Sequence, residues 1–142
     1  KSGPHLERLV IDEGWAIAHT ALVPDEKKDI KKVLKKWCKL KLDLILTTGG
    51  TGIGPRDVTP EATAEVLDKR LDGLSQWIKF ENCHLTPHSL LSRALAGTAM
   101  SSIILNLPGS PQGAGQCLTA AIKLIPHALA MIQGHGHEDP KS

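Results

Sequence analysis

The residues from Leu42 to Asp57 restrict this chain more than any others. Leu42 to Thr48 is nearly continuously apolar, and it runs directly into Gly49-Gly-Thr-Gly-Ile-Gly-Pro-Arg-Asp57. A short strand with no polar face must lie inside a sheet that helices cover on both sides. The glycines that follow release the backbone into positive φ and remove side chains that would keep an anion at a distance. A strand that ends in such a loop is an α/β signature, with the loop on the carboxyl rim of the sheet where open α/β sheets bind ligands.

The rest of the chain fits that frame. Trp15 to Val23 reads as a first strand ended by Pro24, and Ser102 to Leu107 as a third. Ile30, Val33, Leu34 and Trp37 recur at the spacing of one helical face between Asp25 and Leu40. Thr59 and Pro60 open a helix reaching about Arg70, and Gln116 to Gln133 forms a long helix that Pro126 kinks and Gly134 stops. The stretch from Leu71 to Leu95 has no clear period. At 142 residues the chain is one α/β domain with a mostly parallel sheet, residues 1–134, and a polar tail, 135–142.

Each of the three strands leads into a Gly, Pro or Asp segment: Val23-Pro-Asp-Glu26, the glycine loop, and Asn106-Leu-Pro-Gly-Ser-Pro111. Parallel strands would bring the three to one rim. The glycine loop suits a phosphate or a flat polar ring, yet it matches neither G-x-x-x-x-G-K-[ST] nor G-x-G-x-x-G. Asp25 and Asp57 together would suit Mg²⁺, which takes oxygen ligands and shares them with substrate phosphates. Asp25 equally suits a helix N-cap, and Asp57 an Asx turn. Arg56 is either a phosphoryl partner or an exposed charge. Ser92-Arg93 and Ser101-Ser102 are either anion donors or ordinary surface, and Pro108-Gly109-Ser110-Pro111 is either a plain turn or part of the pocket.

Composition narrows the function classes. One Phe, three Trp and no Tyr leave few rings on which bases could stack, and a net charge of +2 gives no general polyanion footprint, so no nucleic-acid partner is expected. No apolar run approaches the ~20 residues of a membrane span, and the first residues lack a secretory signal, so a cytoplasmic protein without membrane insertion is expected. Cys38, Cys83 and Cys117 stand far apart with no zinc spacing and read as free thiols. The histidines show no ligand spacing either. Eight lysines between Lys27 and Lys41 lie opposite the apolar stripe of their helix, either as a solvated face or as a field steering an anion toward Asp25.

Leu44 to Ala62, together with Val23-Pro-Asp-Glu26, Leu91-Ser-Arg93 and Ile104-Leu-Asn-Leu-Pro-Gly-Ser110, resembles the MogA and gephyrin G-domain family over nearly the whole chain. The resemblance implies a three-layer αβα fold, a homotrimer and a molybdopterin adenylyltransferase. Such an enzyme transfers AMP from Mg-ATP to the terminal phosphate of molybdopterin and releases pyrophosphate. It further implies that Asp25 and Asp57 are the catalytic, Mg²⁺-binding aspartates and that Gly49, Gly50, Thr51 and Gly52 form the pterin and phosphate loop. Ser92, Ser101, Pro108, Gly109 and Ser110 match positions lining the same pocket. The Pro-Arg-Asp-Val-Thr-Pro segment resembles the MogA version rather than the MoaB one, and the intact Gly-Gly-Thr-Gly loop disfavours the molybdate-inserting E domain. A fused or separate E domain is an implied partner, and a non-catalytic trimeric scaffold domain is the alternative from another class. The family begins with a strand of which Lys1-Ser-Gly-Pro4 resembles only the end of the following segment, so a domain without its first strand is expected.

Overall fold

The computed structural model describes residues 2–84 and 86–134; the tail assigned to 135–142 lies outside them. In chain order the elements are α1 (Ser2–Asp12), α2 (Lys27–Lys39), β1 (Leu44–Thr48), α3 (Thr59–Val66), β2 (Lys69–Arg70), α4 (Asp72–Cys83), a 3₁₀ turn (Pro87–Leu91), β3 (Ala96–Ala99), β4 (Ser102–Leu107), α5 (Pro111–Ile122) and α6 (Ile125–Ile132). The strands form one sheet in the order β1-β4-β3-β2.

Every residue of β4 is buried, and strand alternation divides its side chains between two cores. Ile103, Leu105 and Leu107 pack against α1, α4, α5 and α6 through Leu6, Ile78, Leu118 and Ile125. Ile104, with Ile45 of β1, packs on the other face against Ile30, Leu34 and Ala62 of α2 and α3. The result is three layers, helix–sheet–helix. A fully buried residue such as Ile104 contributes about 1.5–3 kcal/mol relative to exposure.

The sheet is mixed where a mostly parallel one was expected. β1 and β4 pair in parallel, but β3 pairs antiparallel with both β4 and β2. Only Met100 and Ser101 connect β3 to β4, with Met100 at φ 55°, and so short a connection can make only a hairpin. Residues 15–24 form no strand, against expectation. Their small alanines bury little area, and Leu22 is fully exposed. The segment is fastened instead by His19, which stacks on Trp37 of α2 with ring centroids 6.1 Å apart. Between it and β1 runs a largely apolar groove of about 680 Å³ lined from α1, α2 and β1.

Three further differences concern helices. The long C-terminal helix begins earlier, at Pro111, and breaks into α5 and α6 with a bend of 57° before Pro126. Gly134, at φ 82°, ends it as expected. The α3 helix stops at Val66 because Leu67 turns extended and leads into β2. Ser2, Gly3 and Pro4, within the stretch that resembles the end of a family segment, begin α1.

Candidate functional site

Parallel pairing of β1 with β4 places the ends of both strands at one rim. There Gly49 continues the ladder by one step, its N–H donating to the Leu107 carbonyl at 2.9 Å. Gly49 (φ 87°) and Gly50 (φ 69°) then turn the chain away through two consecutive left-handed residues. Gly109 abuts this turn so closely that a Cβ on it would lie 3.4 Å from the Gly49 Cα. Ser110 follows as the N-cap of α5, its hydroxyl accepting from the Gly113 amide at 3.1 Å, and Pro108 packs against Gly113. The expected meeting of the glycine loop with the Pro108–Ser110 turn is therefore present.

Asp25 reaches the same rim without a strand to carry it. It lines the groove together with Gly49, Gly50 and Thr59. The residue capping α2 is Glu26, so the capping role open to Asp25 in the sequence is not taken. Asp57 is used differently. Its Oδ2 accepts the Gly54 N–H at 2.9 Å, while its own N–H donates to the Gly54 carbonyl at 3.1 Å. A Cβ on Gly52 or Gly54 would stand 2.8 or 3.0 Å from that Oδ2. These two glycines thus make room for Asp57, and Gly50 makes room for Thr59, whose hydroxyl would lie 2.3 Å from an added Cβ. Much of the glycine density serves the packing of the loop itself. What remains unpartnered is the amide row of Gly50, Thr51 and Gly52, which has no acceptor among the described residues. Thr51 is buried.

Ser101 is a correction. It sits in the β3–β4 hairpin, at the end of β4 opposite Leu107, because antiparallel pairing sends that turn to the amino rim of β4. Ser102 is also removed from anion binding, since its buried hydroxyl donates to the Leu42 carbonyl. Ser92 stays near the loop, its Oγ accepting the Ala94 N–H at 3.2 Å. Arg56 is exposed and makes no ion pair among the described residues. Arg93, open in the sequence as an anion donor or ordinary surface, turns its guanidinium inward onto the loop and onto Glu61. That ion pair, chiefly through its hydrogen bond, holds the Glu61 carboxyl below the usual carboxylate range.

Asn106, in the sequence only the first residue of the Asn106–Pro111 segment, has a role of its own in the fold. Buried on β4, it accepts the Leu95 N–H at 3.0 Å and donates to the hydroxyls of Thr47 (2.9 Å) and Thr63 (3.0 Å). An amide in an otherwise apolar strand is the signal that could have found it, since buried amides require partners.

Among the described residues no group of three or more His, Cys, Asp or Glu is placed to hold a metal. Mg²⁺ does not need one, because it keeps several waters and takes one or two carboxylates alongside phosphate oxygens. The Asp25 carboxylate and Oδ1 of Asp57 have no protein donor among the described residues, and hard oxygen donors of this kind fit the ion.

The fold and rim define an α/β protein with a glycine turn and unpartnered backbone amides where a parallel strand pair ends. Residues 1–127 match the family described as a probable molybdopterin binding domain, and the chain belongs to that family. It is similar to the molybdenum cofactor synthesis protein cinnamon of Drosophila melanogaster, at 45% identity over 136 residues, 92% of this chain and 22% of that protein. A molybdopterin adenylyltransferase of Helicobacter pylori is 41% identical over 118 residues, 82% of this chain and 67% of that protein. Among solved structures, MoaB of Thermus thermophilus superposes with a TM-score of 0.87 at 44% identity, covering 94% of this chain and 84% of that one. The Mog protein of Mycobacterium ulcerans gives 0.87 at 36%, covering 92% and 86%. The chain spans about a fifth or less of the two eukaryotic relatives, cinnamon and a Dictyostelium discoideum gephyrin. Proteins named MoaB and Mog match alike, so overall similarity does not separate the two branches.

Proposed function

We propose that this domain acts in molybdenum cofactor biosynthesis as a molybdopterin adenylyltransferase. The observation that carries the reading is the unpartnered amide row of Gly50, Thr51 and Gly52 in a chain of the molybdopterin-binding family, with Asp25 lining the groove at Gly49 and Gly50 and Asp57 in the same glycine loop. The adenylyltransferase named among the relatives supports the choice of reaction. In this reading a terminal phosphate oxygen of molybdopterin attacks the α-phosphorus of ATP, the α–β P–O bond breaks, and pyrophosphate leaves. Amides of Gly50–Gly52 and the amino end of α5 hold phosphate oxygens in place. Asp25 and Asp57 would hold Mg²⁺, which when bound supplies charge neutralisation along the triphosphate. Positioning by the loop accounts for most of the remaining acceleration, because phosphoryl-type transfers ask little covalent chemistry of the protein. Assembly as a homotrimer, and cooperation with a molybdate-insertion (E) domain, belong to the same reading.

Incubating the protein with molybdopterin and Mg-ATP tests it. Adenylylated molybdopterin and pyrophosphate are expected from the wild type, with Asp57→Asn slower by about a hundredfold or more. No product from wild-type protein, or undiminished product from Asp57→Asn, would sink the assignment. The second reading is a scaffold domain that binds molybdopterin without turning it over. Its support is that cinnamon and gephyrin are several times longer than this domain. Trimers in sedimentation together with molybdopterin binding and no turnover would favour it.

A further inference from the structure

The loop that carries the candidate site is tied to the body of the protein unevenly. Its ends are held: Gly49 by β4, and Gly50 by the Thr59 N–H, which donates to the Gly50 carbonyl at 3.2 Å. Between Gly50 and Thr59, residues 51–57 form a flap with an internal turn closed by the two hydrogen bonds between Gly54 and Asp57. Among the described residues, every hydrogen bond from this flap to a distant part of the chain goes to one residue, Arg93. The Arg93 N–H donates to the Thr51 carbonyl at 2.8 Å, Nε to the Gly52 carbonyl at 2.8 Å, and Nη2 to the Asp57 carbonyl at 2.7 Å. Nη1 pairs with the carboxylate of Glu61, in the first turn of α3.

Arg93 is itself well anchored. Two residues on, Leu95 is pinned to the centre of the sheet, its N–H donating to Asn106 Oδ1 at 3.0 Å and its carbonyl accepting the Asn106 N–H at 2.9 Å. One planar guanidinium thus joins the two sides of the flap, residues 52 and 57, to the start of α3 and, through the backbone, to β4. A lysine ammonium is a point charge with no fork, and it cannot satisfy carbonyls on both sides of the flap in the same geometry.

We propose that Arg93 is the positioning residue of the site: it fixes where the Gly50–Gly52 amides and the Asp57 carboxylate stand, and does not itself touch substrate. The kinetic part of this proposal rests on the adenylyl-transfer reading, whereas the structural part does not.

The test uses Arg93→Lys, with Arg93→Gln as a second variant where the first fails to fold. Hydrogen–deuterium exchange is followed in peptides covering 49–60, β4 and α5, and turnover is titrated with Mg²⁺ at saturating ATP. Exchange in 49–60 is expected to rise about tenfold while β4 and α5 keep wild-type protection, and the half-saturating Mg²⁺ concentration is expected to rise about tenfold, by more than kcat falls. Wild-type exchange in the loop, or acceleration spread evenly over all three peptides, overturns the proposal, the second outcome marking a merely structural residue. Faster loop exchange with an unchanged Mg²⁺ requirement overturns the claim that the clamp positions Asp57. If the wild type itself shows no turnover, the adenylyl-transfer reading fails, and the exchange measurement still decides whether Arg93 holds the flap.

Discussion

Gly50 combines two demands that only glycine meets. Its φ of 69° is strained for any residue with a Cβ, and that Cβ would lie 2.3 Å from the Thr59 hydroxyl. Gly50→Ala should therefore cost about 1–3 kcal/mol of stability, read as a lower urea midpoint. Gly50→Ala/Thr59→Ala should recover the steric share and leave the backbone share. A midpoint equal to wild type for the single variant would contradict both causes. Gly73 in α4 is the counterexample, since a Cβ there meets nothing within 4 Å. At this scale the sequence was informative about where glycine is needed, but not about why. Gly52 and Gly54 invite the reading of an anion cradle, yet in the fold they accommodate the Asp57 carboxylate. Only coordinates distinguish a glycine that faces a ligand from one that faces a neighbouring side chain.

Among the elements, α2 and α3 show what the lysine-rich helix does with part of its charge. Lys27 and Lys31 both pair with Glu65, joining the two helices that cover one face of the sheet. Their hydrogen bonds, Lys27 first, bring the Glu65 carboxyl down to about 2 from an ordinary 4.5. A carboxylate depressed in the folded state contributes stability above its unfolded pKa and loses it as the pH falls through the folded value. The contribution should thus fade between about pH 4.5 and pH 2, and Glu65→Gln should flatten the stability curve in that window only. Because Glu65 is exposed, the effect should be small and should shrink in molar salt. Acid titrations of the two proteins by circular dichroism check this: the gap between them should be constant above about pH 4.5 and close as the pH falls toward 2, and a gap that changes with pH above 6 would contradict it. The α2 helix was legible because its apolar stripe keeps one period for three turns. Helix α4 was not, because Asp72-Gly73 opens it weakly and its buried residues, Ile78 and Asn82, are few and only one is apolar. The segment from Trp15 to Val23 looked like a strand because it is apolar, but in the fold it pairs with no strand and lies across the groove from β1, the edge strand.

For the whole molecule, burial predicts the order in which the three cysteines react. Burial pushes the Cys117 thiol up to about 11 and raises that of Cys38 as well, in two different cores. Cys83 is half-buried at the end of α4. With an aromatic disulfide reagent at pH 8, one thiol per native chain, Cys83, should react quickly. The other two should react only at the rate of global opening, since a buried neutral thiol is a poor nucleophile. Equal rates for all three thiols would show that the two cores are not closed as described.

What the sequence determined by itself is local: the strand from Leu44, though as a half-buried edge strand rather than a buried one, the amphipathic period of α2, the stop at Gly134, and the glycine loop that follows the strand. Each is written in neighbouring residues, through backbone freedom or side-chain period. The tertiary structure decided what depends on residues far apart in the chain. It set the antiparallel half of the sheet, moved Ser101 to the opposite end of β4, left Asp25 free where Glu26 caps the helix, and turned Arg93 inward to the glycine loop. The physical reason is that a hydrogen bond or an ion pair belongs to two partners at once. Chemistry at one position shows what a side chain can offer, and only the fold determines which partner accepts it.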